Sequence, residues 1–131
     1  MLALLRTPLG GVLDAVASGR LAELPPLEWE DGYALTVVLA AEGYPASTVT
    51  GGVVSGGGPG REHDGVLAAG VTADGDRLVA SGGRVLNVIG TGATLEEARE
   101  RAYGVMDSVT LPGGHFRRDI AAGAVEGRIH V

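Results

Sequence analysis

The stretch from Ser81 to Tyr103 constrains the fold of this chain more than any other part of its sequence. It starts with a glycine turn, continues as a mostly apolar run that predicts a buried strand over residues 84–91, and ends in a helical pattern. Thr94 is followed three residues later by Glu97, the spacing of a capping box at a helix start. We therefore expect this strand and helix to form the centre of the fold.

The helix that follows Thr94 is predicted to be amphipathic, because its apolar residues recur at three- and four-residue spacing. The expected buried face consists of Leu95, Ala98, Ala102, Val105 and Val109. Charged side chains occupy the opposite face. Glu97 and Arg101, four residues apart on that face, are expected to form an ion pair.

Glycine is the outlier of the composition, at 23 of 131 residues against a usual share of about 7%. The glycines follow no period, so they predict many turns between short strands rather than a fibrous repeat. Apolar runs between these turns predict strands over residues 34–41, 50–55, 65–72 and 77–80. The pair Asp74-Gly75 predicts a hairpin turn between the last two of these strands.

A second helix is predicted near the start of the chain, with Thr7 as its N-cap, Pro8 at its first position and Gly19 just after its end. Its apolar face would consist of Leu9, Val12, Leu13 and Val16. The diproline joint that follows resembles a boundary between units. We expect residues 1–27 to be the terminal helix and linker of one unit and residues 28–131 to be a domain of their own.

This order of elements predicts an α+β fold. We expect a small antiparallel curled sheet or half-barrel, similar to a single hybrid motif. One long amphipathic helix would cross this sheet, and the N-terminal helix would precede it.

The charge and residue usage exclude several classes of function. The formal net charge is −6, which argues against a broad nucleic-acid or anionic-membrane surface. All ten basic residues are arginines and the chain has no cysteine, so lysine-dependent chemistry, thiol catalysis and zinc–thiolate sites are excluded. No apolar run approaches the ~20 residues of a membrane span, and we expect a cytoplasmic protein.

The residues alone offer one candidate binding site, formed by Gly82, Gly83 and Arg84. A guanidinium beside glycine backbone amides suits an anion, and paired glycines allow both unusual backbone angles and close approach. The alternative is a hairpin turn followed by a solvated arginine, and the spacing alone favours this alternative.

Other polar clusters are weaker candidates. His63 with Glu62 and Asp64 could bind a metal or act as a base, but a polar loop without a second histidine in helical register favours solvated side chains. His115 beside Arg117 and Arg118 could face an anion, although the sequence favours a surface turn. The glycine runs at 51–52 and 56–58 precede neither a helix nor a lysine, so they predict flexible loops rather than phosphate-binding loops. No nucleophile–base–orienter set is present in the sequence.

The central stretch resembles the C-terminal domain of phosphoribosylamine–glycine ligase, an enzyme of the ATP-grasp family. The resemblance rests on Gly82-Gly83-Arg84-Val85-Leu86, on the Gly-Thr-Gly at 90–92, and on the Thr-Leu-x-Glu-Ala-x-x-x-Ala-Tyr pattern at 94–103. Segments 29–31, 37–45 and 113–120 resemble further family motifs in the same order. Residues 9–27 resemble the last helix of the ATP-grasp lobe and its joint.

The resemblance implies a part in de novo purine biosynthesis. Family members use ATP to join glycine to 5-phosphoribosylamine, which gives glycinamide ribonucleotide. It implies that ATP and Mg²⁺ are held by ATP-grasp lobes absent from this chain, so that no catalytic residue and no metal site is expected here. The Gly-Gly-Arg turn resembles the turn with which related enzymes hold a sugar phosphate, which implies that Gly82, Gly83 and Arg84 bind the substrate phosphate on one side of the active site.

The chain departs from the family pattern at three places. Members commonly carry a histidine and a threonine where this chain has Ala68 and Val71, and an aspartate where it has Gly52. These losses motivate an alternative reading, in which the chain is a non-catalytic ligand-binding or interaction module that has kept the fold.

Overall fold

A computed structural model describes residues 2–57 and 64–129 of the chain. The helices are α1 (Leu9–Ala17), α2 (Leu95–Asp107) and α3 (Ala122–Val125). The strands are β1 (Tyr33–Ala40), β2 (Val53–Val54), β3 (Gly65–Ala68), β4 (Val71–Asp74), β5 (Arg77–Ala80) and β6 (Arg84–Gly92). Short 3₁₀ turns cover Leu2–Leu4 and Leu21–Glu23.

The strands form two small antiparallel sheets, one in the order β1-β6-β3 and the other in the order β2-β5-β4. The sheets curl but do not close into a barrel among the described residues. This arrangement confirms the predicted α+β fold with a half-barrel and one long helix across it. The predicted hairpin is also present, since β4 and β5 pair around a turn at Gly75.

The strand predicted over residues 65–72 is wrong, because the chain leaves the first sheet at Gly70 and joins the second as β4. The Gly70 amide donates to the Arg84 carbonyl at 2.8 Å, and its own carbonyl accepts from Ser81 at 2.8 Å. A Cβ at Gly70 would lie 2.7 Å from the Arg84 carbonyl oxygen. The corner therefore needs a residue without a side chain, and an apolar pattern cannot reveal such a crossing.

A β-bulge interrupts the pairing of β1 with β6. Val38 pairs with Asn87 and Ala40 pairs with Arg84, with the register shifting between Leu39 and Ala40. Val38 and Ala40 are two residues apart and share a face of the sheet. The extra residue in β6 therefore brings Arg84 and Asn87 onto one face, although they are three residues apart.

The core lies between α2 and the inner face of the first sheet. Its largest fully buried side chains are Met106, Val37, Val85 and Val88. Helix and strand approach closely because β6 has a glycine where they cross. A Cβ at Gly90 would overlap the Ala98 carbonyl oxygen and lie 3.0 Å from the Ala102 Cα.

The buried face of α2 differs in part from the predicted one. The buried residues are Ala98, Ala102, Tyr103 and Met106. Leu95, Val105 and Val109 are only partly buried beside them. The centre of the face is rotated toward Tyr103 and Met106, because Met106 is fully buried in the core while Val105 and Val109 are only partly buried at its edge.

The capping box at the start of α2 is confirmed at Thr94, whose hydroxyl accepts from the Glu97 amide at 3.2 Å. The Glu97 carboxylate accepts from the Ala93 amide at 2.9 Å and so satisfies a second free donor. The expected ion pair between Glu97 and Arg101 is wrong. Arg101 instead donates to the Thr91 carbonyl at 2.7 Å, which ties the helix to the end of β6.

Helix α1 ends as predicted, with Gly19 in the left-handed region. The Arg20 and Gly19 amides donate to Ala15 and Val16, which completes a Schellman motif. Thr7 is not the N-cap, because its hydroxyl accepts from the Glu28 amide and so links the start of the chain to the segment before β1.

The apolar face of α1 remains largely uncovered. Ala15 is its one buried residue in the structure described, whereas Leu13 and Val16 are 58% and 53% exposed. The predicted amphipathic face is therefore present, but the described chain does not bury it.

The segment after α2 is held in place by α2 itself. The Tyr103 hydroxyl donates to the Arg117 carbonyl at 2.7 Å and accepts from the Ile120 amide at 3.2 Å. Arg99 lies 4.7 Å from the centre of the Tyr103 ring and donates to the Ile120 carbonyl at 3.0 Å. These contacts fix the backbone that leads to α3.

We predict that Gly90→Ala destabilises the fold by about 1–3 kcal/mol, because the added methyl group would separate β6 from α2. Gly104→Ala is the matched control, since it adds the same group to an open surface of α2. There alanine should raise stability by roughly 0.5–1 kcal/mol through helix propensity. Urea unfolding of the two variants measures both effects, and equal stabilities would contradict the close crossing.

We also predict that Tyr103→Phe costs about 1–2 kcal/mol, since it leaves the Ile120 amide without its partner. Amide hydrogen exchange should accelerate in residues 117–125 more than in the sheets. Tyr33→Phe serves as the control, because the exposed Tyr33 hydroxyl makes no hydrogen bond within the described chain. Unchanged exchange in the segment after α2 would show that the Tyr103 hydroxyl does not hold it.

Candidate functional site

Arg84 differs from the other arginines in its contacts. Within residues 2–57 and 64–129 its exposed side chain forms neither a hydrogen bond nor an ion pair. The other described arginines do: Arg6, Arg20, Arg77, Arg117, Arg118 and Arg128 pair with carboxylates, and Arg99 and Arg101 donate to backbone carbonyls. Arg84 therefore offers a guanidinium to an external anion without first breaking an internal contact.

The glycine turn before Arg84 serves packing more than unusual backbone angles. Neither Gly82 nor Gly83 has a φ in the left-handed region. A Cβ at Gly83 would overlap the ring of Tyr44, and the Gly82 amide already donates to the Gly70 carbonyl at 3.2 Å. The turn thus lets Tyr44 pack against the chain beside Arg84, while the Gly82 amide is engaged within the protein.

Arg84 lies between two adjoining clefts. One, which we call the polar cleft, has a volume of about 530 Å³ and is lined by Val38, Tyr44, Ala69, Gly83, Arg84 and Asn87. The other, the apolar cleft, measures about 380 Å³. It shares Val38, Tyr44 and Arg84 with the first and adds Pro45, Phe116 and Ile120, with His115 and Arg117 at its wall. An anion at Arg84 could therefore extend into either cleft.

Asn87 is the site residue that sequence reasoning missed. Alternation along a regular strand places Arg84 and Asn87 on opposite faces, and only the bulge brings them together. A signal was nevertheless present in the composition, because Asn87 is the only asparagine of a chain that has no glutamine. A lone carboxamide within an apolar strand marks a polar position that could contact a ligand.

The basic cluster at residues 115–118 is already paired. Arg117 contacts Asp119 through two hydrogen bonds of 2.9 and 2.6 Å, and Arg118 contacts Asp107 at 3.2 Å. The hydrogen bond from Arg117 lowers the pKa of the Asp119 carboxyl and raises the pKa of Arg117, which keeps both groups charged. This cluster therefore resembles a structural network more than an open anion site.

A separate groove of about 810 Å³ lies between the first half of β1 and the segment around α3. Arg117 and Arg128 line it, but both already pair with carboxylates. The groove therefore has charged walls without a free cation among the described residues.

The acidic and histidine cluster at residues 62–64 and the glycine loop at 56–60 are only partly described by the structure. Glu62 and His63 lie outside the described residues, as does most of the glycine loop at 56–60. The Asp64 carboxylate accepts from the Thr91 amide and hydroxyl at 2.5 and 2.7 Å, so it anchors the end of β6. Among the described residues no three histidine, cysteine, aspartate or glutamate side chains come together as a metal site would require.

The three departures from the family pattern are not lining residues of either cleft, although Ala68 and Val71 flank Ala69 and Gly70, which lie beside Arg84. Ala68 is exposed in β3, Val71 packs at the edge of the core, and Gly52 faces Leu111. None of the three lines the polar or the apolar cleft. Their replacement therefore leaves the walls of both clefts intact.

The two clefts offer groups that bind rather than react. They present a cation, a carboxamide and an aromatic ring, with apolar walls around them. This set suits a polar molecule that carries an anionic group.

No helix of the described chain is long and apolar enough to cross a bilayer.

Comparisons with known proteins identify the family of the chain. The family model described as "Phosphoribosylglycinamide synthetase, C domain" matches residues 34–123. The phosphoribosylamine–glycine ligase of Mycobacterium tuberculosis is 54% identical over all of this chain, which spans 30% of that protein. The corresponding ligase of Corynebacterium ammoniagenes is 49% identical, again over all of this chain and 30% of its own length.

A solved structure shows the same fold. The crystal structure of the phosphoribosylamine–glycine ligase of Thermotoga maritima matches with a TM-score of 0.71 and 40% sequence identity. The match covers 85% of this chain and 27% of that one. By sequence and by fold, this chain belongs to the family of phosphoribosylglycinamide synthetase C domains.

Proposed function

We propose that this chain is the C-terminal part of a phosphoribosylamine–glycine ligase and closes the sugar-phosphate side of its active site. The main support for this proposal is the position of Arg84, which lies between two clefts and has no internal partner in the described chain. In the complete enzyme it would bind the phosphate of 5-phosphoribosylamine while glycine is joined to the amine in purine biosynthesis. Gly83 would support Arg84 because its lack of a side chain lets the Tyr44 ring pack beside the turn. Gly82 would support it through the hydrogen bond from its amide to the Gly70 carbonyl.

The reaction itself is assigned to other parts of the ligase, since the chain spans about 30% of the length of its curated relatives. We propose that ATP-grasp lobes bind ATP and Mg²⁺, supply the catalytic groups and bring glycine to the site. The described residues of this chain do not form a metal cluster. We place the enzyme in the cytoplasm as part of the same proposal. The comparisons give no support to the non-catalytic alternative.

We further propose that residues 1–27 are the terminal helix and linker of the ATP-grasp lobe and that residues 28–131 are the C domain. Two observations support this boundary. The family model begins only at residue 34, and α1 leaves its apolar side chains Leu13 and Val16 more than half exposed.

We predict that Arg84→Ala weakens the binding of ribose 5-phosphate, a stable stand-in for phosphoribosylamine, by about tenfold or more. A charge-assisted pair with a phosphate is worth roughly 1.5–3 kcal/mol, and each ~1.4 kcal/mol is a factor of ten in affinity. Calorimetric titration of the 131-residue chain measures the loss.

Arg77→Ala is the matched control, because it removes an equally exposed arginine that pairs with Asp74 away from both clefts. It should bind ribose 5-phosphate as the parent chain does. Equal losses in the two variants would indicate a diffuse charge effect and would contradict a site at Arg84.

We also predict that the purified chain does not hydrolyse ATP, alone or with glycine and ribose 5-phosphate, because it contributes binding groups but no catalytic set. A coupled assay for ADP release tests this. ADP production that follows the chain through purification, and disappears when the chain is heat-unfolded, would contradict the division of labour proposed here.

A further inference from the structure

We propose that Asn87 recognises the ribose hydroxyls of the sugar phosphate that Arg84 binds, and so sets the preference for a ribose over a deoxyribose. This role rests on the proposed function of Arg84. Asn87 would be a specificity residue of the polar cleft rather than a catalytic one.

The placement of the two side chains supports this role. Arg84 and Asn87 lie on the same face of β6, opposite Ala40 and Val38 of β1. Those two positions are separated by two residues of an extended strand, about 7 Å. In ribose 5-phosphate one methylene group joins the phosphate to the sugar ring, so a phosphate at Arg84 leaves the ring within reach of Asn87.

The surroundings of the Asn87 side chain also support this role. Its side chain is half-buried and forms no hydrogen bond to the residues that the structure describes. Its cross-strand neighbours Val38 and Leu67 are apolar, so neither can satisfy the amide. A polar group in such a position gains from a ligand that both donates and accepts hydrogen bonds.

The chemistry of a carboxamide fits a pair of adjacent hydroxyls. The NH₂ group donates to one hydroxyl oxygen, and the carbonyl oxygen accepts from the other hydroxyl. A ligand that lacks one hydroxyl leaves half of the amide unpaired, which is the means by which polar sites reject deoxygenated analogues. Inorganic phosphate, with no ring, should contact Arg84 alone.

The lone carboxamide makes a direct test possible. Because the chain has one asparagine and no glutamine, a ¹⁵N–¹H spectrum of the labelled chain contains a single carboxamide NH₂ pair, which differs in chemical shift from the guanidinium NH₂ groups of the arginines. The chain is titrated separately with ribose 5-phosphate, 2-deoxyribose 5-phosphate and inorganic phosphate. The NH₂ pair and the Arg84 Nε–H are followed, the latter identified by its loss in Arg84→Ala.

We expect all three ligands to shift the Arg84 Nε–H and ribose 5-phosphate to shift the Asn87 NH₂ pair most. The parent chain should bind ribose 5-phosphate about 3- to 10-fold more tightly than the deoxy sugar, the worth of one neutral hydrogen bond. In Asn87→Leu, which keeps the side-chain size, this ratio should fall to near one while the affinity for inorganic phosphate is unchanged. If Asn87→Leu perturbs the backbone amide signals, Asn87→Ala replaces it. It should show the same loss of the ratio and the same affinity for inorganic phosphate.

Leu67→Ala is the control, because Leu67 pairs with Asn87 across the sheet, is 55% exposed and lines neither cleft. It should keep the ratio of the parent chain. A ratio that persists in both Asn87 variants, or an NH₂ pair that stays fixed while Arg84 shifts, overturns the role of Asn87 and leaves Arg84 standing. If no ligand binds or shifts Arg84, the phosphate site fails, and the role of Asn87 fails with it.

Discussion

The close crossing of β6 and α2 is the constraint on which the rest of the structure depends. Gly90 has no side chain at the crossing, so the backbone of Ala98 and Ala102 can approach the strand. This contact lets α2 cover the inner face of the first sheet, where Met106 and Val88 are fully buried. The side chains of β6 that can meet a ligand therefore lie on its outer face, where the bulge places the candidate residues Arg84 and Asn87 together.

Local sequence signals predicted the elements well and their junctions poorly. The capping residue Thr94, the terminator Gly19 and the Asp-Gly hairpin each act over a few residues, and each is found as predicted. The sheet change at Gly70 and the bulge opposite Leu39 depend on partners distant in sequence. Of the site, Arg84 could be named from its motif, whereas Asn87 could not, because strand alternation gave it the wrong face.

The backbone that carries Arg84 is fixed by packing on both sides. Arg84 is held by a strand whose other face is fixed in the core, and Tyr44 is packed against Gly83 beside it. Rigid supports of this kind lower the cost of ordering side chains when a ligand binds. The apolar side chains Leu13 and Val16 of α1 also remain exposed, and an exposed apolar face of this kind is typical of a surface that contacts another unit.

The most direct test of the account is a crystal structure of the chain with ribose 5-phosphate. The account predicts phosphate oxygens within hydrogen-bond distance of the Arg84 guanidinium and the sugar ring in the polar cleft. A sugar phosphate bound instead in the groove beside Arg117 and Arg128, with Arg84 in solvent, would contradict the central claim that the turn before β6 forms the substrate phosphate site.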